Sequence, residues 1–166
     1  YTSHKTTTCG LHCHINRTAL GATHADQEDT IGRILYFVEH NWGEMLRFSR
    51  RTEGQMQRWA ARYGMKSRPK ELMDDAKNNN YSRYRCINIQ NYNTIEFRMF
   101  RGTLKYNTFI ATLQLVNEIC NVALSMSDEE IQNLSWSEFV SRLNPDEHKE
   151  LITYLNERNI YESEVE

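Results

Sequence analysis

Gly10-Leu11-His12-Cys13-His14-Ile15-Asn16-Arg17 and Thr94-Ile95-Glu96-Phe97-Arg98-Met99-Phe100 decide how this chain reads. Side chains alternate across a strand with period two. In the first segment Leu11, Cys13 and Ile15 point one way, and His12, His14 and Asn16 the other. In the second, Ile95, Phe97 and Met99 share one face, and Glu96 and Arg98 share the opposite face. Each segment is a strand with an apolar side and a side that carries imidazole, carboxamide, carboxylate or guanidinium. Such a wall can hold a divalent cation and polyphosphate oxygens. Carboxylate and phosphate oxygens suit a hard cation, and arginine grips carboxylate or phosphate through a planar fork. Exposed strand histidines and cross-strand salt bridges use the same residue types, so the conjunction of the two strands carries more weight than either alone.

Outward from these strands the pattern is helical. Ile31, Ile34, Leu35, Val38, Trp42, Met45 and Leu46 form an apolar stripe and predict a long helix over about 29–50, after a loop from Asn16 to Ala25. A segment helical in whole or in part is predicted over 53–63, and a short helix, opened by Pro69, over 69–77. Strands over 84–90 and 94–100 flank Asn91-Tyr92-Asn93, which suits a tight hairpin. A second long helix is predicted over 105–126. Ser127-x-x-Glu130, Ser135-x-x-Glu138 and Asn144-Pro145-Asp146-Glu147 each predict the start of a short helix. The acidic end after Ile160 is expected to fray. The fold class expected is α+β: a small antiparallel sheet with helices on one face. The uncovered face would carry His12, His14, Glu96 and Arg98. A core over 1–126 would be followed by an acidic helical extension, 127–166, of the same domain.

At 166 residues, with 39% apolar and 25% charged residues, the chain suits one ordinary globular domain. No apolar run reaches membrane-spanning length, and no signal peptide is visible. Cys9, Cys13, Cys86 and Cys120 form no CxxC pair and read as reduced thiols of a cytoplasmic protein. A zinc site of Cys9, His12 and His14 is the weaker reading, because Cys9 does not share the histidine face. Net charge is only -2, yet fourteen Lys or Arg stand against five acids between Arg47 and Lys105, and eleven acids against three bases between Asp128 and Glu166. The basic middle suggests an anionic ligand; a solvated face balanced by the acidic tail is the plain alternative. Arg83, Arg85 and Arg101 flank the hairpin and Arg98 lies within it; these four are preferred as ligand-binding groups over Arg47, Arg50 and Arg51. Gly-rich phosphate loops, nucleophile elbows and common nucleic-acid motifs are missing from the sequence.

Gly-Leu-His-Cys-His-Ile-Asn at 10–16 resembles the Gly-Met-His-x-His-Met-Ser strand of glutamine synthetases. Ile95-Glu96-Phe97-Arg98 resembles that family's Arg-Ile-Glu-Val-Arg strand, and Arg83/Arg85 its preceding arginine-rich segment. The closer resemblance is to the phage and bacterial amidoligases of the carboxylate–amine ligase superfamily. It is carried by residues 9–16, 47–52, 58–63 and 94–104 and spans roughly 8–125. It implies a glutamine synthetase-like catalytic half that uses ATP and Mg²⁺ to join an amine to a small-molecule or peptide carboxylate through an acyl phosphate. By motif, His12 and Glu96 would bind Mg²⁺, and His14 and Asn16 would sit beside ATP. Arg98 would hold the carboxylate or acyl phosphate, while Arg83 and Arg85 would neutralise phosphate charge; Arg101 is counted with them among the catalytic residues. The family's early Glu-x-Glu strand has no counterpart here, since residues 1–10 contain no acid. The resemblance is therefore to the later part of an amidoligase, with an upstream part of the protein expected to complete the site. A non-catalytic remnant that kept the fold is the first alternative. A nucleic-acid module using residues 47–105 is the second, with nucleic acid not expected as the main partner.

Overall fold

The computed structural model describes residues 5, 6 and 8–161; the acidic segment expected to fray lies, from 162 on, outside the described residues. Strands β1 (Gly10–Asn16), β2 (Ile87–Asn88) and β3 (Thr94–Arg101) form one antiparallel sheet in the order β1-β3-β2. Eight α-helices accompany it among the described residues: α1 (His24–His40), α2 (Trp42–Ser49), α3 (Glu53–Trp59), α4 (Pro69–Asn78), α5 (Tyr106–Ser125), α6 (Asp128–Asn133), α7 (Trp136–Ser141) and α8 (Lys149–Glu157). The class is α+β, as the alternation and the helical stripes predict.

The two diagnostic strands are neighbours. Cys13 lies opposite Phe97, His14 opposite Glu96 and Ile15 opposite Ile95. Opposite residues of an antiparallel pair share a face, so the apolar side chains meet on one side and the polar ones on the other. Leu11, however, lies opposite Phe100, so β3 takes three steps where β1 takes two. This bulge turns both Met99 and Phe100 inward, at 0% and 2% exposure, where strict alternation would bury only one. Phe100 then packs edge-on against Phe48 of α2.

Three predicted elements change. The helix expected over 29–50 begins at His24, where Thr23 and Asp26 form a capping box, and breaks at Asn41. The buried Asn41 amide donates to the Phe37 carbonyl at 2.9 Å, and its backbone N–H bonds the same oxygen. That carbonyl is thereby satisfied locally and the next turn starts afresh. The strand expected over 84–90 shrinks to Ile87–Asn88, because Arg17 donates to the carbonyls of Ile89 and Asn91 and holds the loop off the ladder. Asn144 opens no helix at once: its side chain accepts from the N–H groups of Asp146 and Glu147 in a turn, and α8 starts at Lys149. Ser127 and Ser135 do cap α6 and α7 with full capping boxes.

The C-terminal helices close the same core. Phe139 of α7 lies 4.7 Å from Phe37, and Tyr154 of α8 lies 4.7 Å from Phe48 and donates its hydroxyl to the Phe48 carbonyl. Among the described residues no helix is long and apolar enough to cross a membrane.

Candidate functional site

β3, the central strand, sets the site. Glu96 points to the polar face and gathers its neighbours. His12 Nδ1 lies 3.0 Å from Glu96 Oε1, Arg98 Nη1 donates to the same oxygen at 2.8 Å, and Asn88 of β2 donates to Oε2 at 3.1 Å. His14 Nε2 stands 3.7 Å from Oε1, beyond hydrogen-bond reach, while its Nδ1 meets the Thr94 hydroxyl at 3.2 Å. All three strands thus contribute to one carboxylate.

The face is polar, but its centre is covered. Glu96 is 6% exposed and the Arg98 side chain 13%, whereas the histidines remain open. Arg98 is therefore a structural partner of Glu96 as well as a candidate ligand group, which corrects its expected place on a fully open face. Burial opposes ionisation of Glu96. The Asn88 amide and the charges of Arg98, His12 and His14 outweigh it and hold the carboxyl below the usual range. Burial, and then the Arg98 charge, lower the His12 pKa and favour the neutral ring. With Nδ1–H donated to Glu96, Nε2 keeps its lone pair, the tautomer that a carboxylate-oriented metal ligand uses.

Behind this group sits an excess of positive charge. Arg51 is 8% exposed and reaches the carbonyls of Cys9 and Phe100. Its pKa is lowered by burial, then by Arg101, Arg98 and Arg50. Arg50 donates to the Arg101 carbonyl at 2.6 Å from a left-handed position (φ 60°) at the end of α2. Gly10 makes room for this: a Cβ there would lie 2.6 Å from the Arg51 guanidinium and 3.1 Å from His12 Nε2. The charges of Arg50, Arg98 and Arg101 all act on Arg51, with Glu96 paired to Arg98, and this excess of positive charge favours anions.

The structure brings His12, His14, Glu96 and Arg98 together, with Arg101 adjoining and Asn16 two residues beyond His14 on the same face. Arg83 is exposed, bonds the Tyr84 hydroxyl at 3.2 Å and feels the Glu96 charge. Arg85 makes different contacts. It donates to the Arg62 carbonyl and lies over the rings of Tyr81 and Tyr63, at 4.1 and 5.8 Å. The sequence pattern favours Arg83, Arg85, Arg98 and Arg101 over Arg50 and Arg51, and it does not single out Asn88 or Tyr84, which the structure places beside Glu96 and Arg98. Asn88 was within reach, because alternation with Ile87 and Ile89 places it on the Glu96 face. Arg51 carries no such signal.

Neither a family model, nor a curated protein, nor a solved structure matches this chain.

The donors suit a cation shared with polyphosphate oxygens rather than one caged by protein. Glu96 is the one carboxylate in the cluster, and among the described residues no three His, Cys, Asp or Glu side chains converge as a metal site. Among the described residues β1 is an edge strand. Beside it runs a groove of about 660 Å³ lined by Leu11, Ile15, Phe109, Leu113, Cys120 and Leu124.

Proposed function

We propose that this chain carries the nucleotide- and carboxylate-binding face of an ATP-dependent carboxylate–amine ligase, as its resemblance to amidoligases implies. The observation that supports this reading most is the convergence of His12 and Arg98 on one oxygen of Glu96, with Arg51, Arg50 and Arg101 behind. Phosphoryl transfer to a carboxylate needs fixed positive charge where negative charge accumulates, and water held away. Arg98 is pinned by Glu96 and nearly enclosed, so it would hold the substrate carboxylate without reorganising. Arg51 and Arg101 would face the transferring phosphoryl oxygens. His12 Nε2, its ring oriented by Glu96, would hold Mg²⁺ together with phosphate oxygens, and the cation would neutralise charge on the nucleotide. His14 and Asn16 would flank the nucleotide. A further strand on the free edge of β1, with its apolar side in the groove beside α5, would supply the remaining carboxylates.

The test is a thermal melt with millimolar Mg²⁺ and a non-hydrolysable ATP analogue. A ligand that binds only the native state raises the midpoint by mass action. The wild type should shift upward, and His12→Ala and Glu96→Gln should lose most of the shift. No shift in the wild type, or the same shift in all three, overturns this assignment.

A further inference from the structure

Outward from Arg98, away from the histidines, lies a run of rings and guanidiniums that the site above does not use. Arg98 sits over the Tyr84 ring at 5.6 Å, and Arg83 over the same ring at 5.2 Å. Tyr84 meets Trp59 edge-on at 5.7 Å, and Arg58 lies over Trp59 at 4.9 Å. Arg58 and Arg83 are exposed, and among the described residues neither is ion-paired to a carboxylate within 4.0 Å.

Two features decide what such a surface binds. Rings that take nucleobases must offer a free π face. Here guanidiniums already lie over both Trp59 and Tyr84. The rings act instead as supports for the guanidiniums; Arg83 also donates one Nη2–H to the Tyr84 hydroxyl at 3.2 Å and keeps its other N–H groups for a ligand. Arg58 and Arg83 are thus oriented, charged and without a counter-ion, which is the preorganised state of a carboxylate receptor. Spacing is the second feature. Arg83 is one ring away from Arg98, and Arg58 is two rings away. A ligand touching all three must be a chain of several residues, at ~3.3 Å per extended residue.

We propose that Arg58 and Arg83, seated on Trp59 and Tyr84, form an oxyanion subsite continuous with Arg98 that binds the side-chain carboxylates of an acidic peptide. This rests on the ligase reading, and identifies the acyl donor of that reaction as an acidic peptide rather than a simple monocarboxylate. Arg98 takes the carboxylate to be activated, while Arg83 and then Arg58 take those that follow along the chain.

The experiment is calorimetry on the full chain at low ionic strength, where such contacts are least screened, without nucleotide. The probes are acetyl-tetraglutamate amide, acetyl-tetraglutamine amide, pyrophosphate and a ten-residue oligothymidylate. Tetraglutamate should bind and tetraglutamine should not. Arg58→Gln and Arg83→Gln should each weaken tetraglutamate at least about fivefold, the scale of one charge-assisted contact. Arg68→Gln, on a surface pair with Glu71, should leave it unchanged. Equal binding of the two peptides, or indifference to both variants, overturns the proposal. So does pyrophosphate or oligothymidylate binding more tightly than tetraglutamate with the same variant sensitivity. The thermal melt keeps the two readings separate. Loss of the nucleotide shift with peptide binding intact removes the ligase but leaves the subsite. The reverse removes the subsite alone.

Discussion

Glu96 concentrates the chemistry of the molecule and much of its local stability. Its carboxylate compensates Arg98, which is nearly enclosed. Glu96→Gln should cost roughly 3 kcal/mol at neutral pH, because it leaves a buried guanidinium without its counter-charge. The pH dependence follows from the direction of two shifts. The folded-state pKa of His12 lies below its ordinary 6.5, so its contribution is complete above that value and is lost as pH falls through the lower one. Glu96 lies below its ordinary 4.5, and its contribution disappears in the same sense further down. Urea denaturation from about pH 7.5 to about pH 3.5 should show stability falling in both ranges. His12→Gln should flatten the upper fall and Glu96→Gln the lower. A His12→Gln profile parallel to wild type above about pH 5 would contradict this. At this scale the sequence was informative, because alternation along a strand is local: His12, His14, Glu96 and Arg98 follow from period two. Arg51 does not. Its position depends on a left-handed turn at Arg50 and on the missing side chain of Gly10, some forty residues away in the chain.

Elements were legible where their signals were short-range. Capping boxes at Ser127 and Ser135, Pro69 at a helix start, and the apolar stripe of α5 all lie within one or two turns of what they specify. The break at Asn41 was hidden because the apolar period runs on across it, while the side chain that causes it bonds backwards to Phe37. β2 was overestimated for a tertiary reason. Arg17, over seventy residues earlier, takes the carbonyls of Ile89 and Asn91, and the Arg17 N–H takes that of Asn93. Arg17→Met should therefore release the 89–93 loop. The expected loss is about 2 kcal/mol, the scale of hydrogen bonds to a charged group. Amide exchange across 89–94 should quicken more than across α5. Equal quickening in both would show that Arg17 stabilises the whole fold rather than the hairpin.

At the scale of the molecule, the class of fold was legible and the interlocking of its two ends was not. Composition alone does not reveal that Tyr154 would bond the Phe48 carbonyl, that Trp136 would donate to the carbonyl of Ile160, or that Phe139 would pack on Phe37. These contacts make residues 127–160 part of the core that supports β3 through α2. The cysteines provide the readout. Cys9 is exposed, while Cys13, Cys86 and Cys120 are buried, with the thiols of Cys13 and Cys120 pushed up to about 11 and about 12 by burial. The thiolate is the reactive form. The intact chain should therefore give one thiol to Ellman's reagent quickly near pH 8 and the other three only as it unfolds. A chain ending at Met126 loses the aromatic partners of Phe37 and Phe48, two of the largest fully buried side chains. Truncating such contacts costs several kcal/mol each, on the order of 3–5 per large aromatic, against a total stability of about 5–15 kcal/mol for a domain. That chain should show four fast thiols and no cooperative melt. A sharp melt with one fast thiol would instead mean that the sheet and its site stand without α6–α8, and that the C-terminal helices are an appendage.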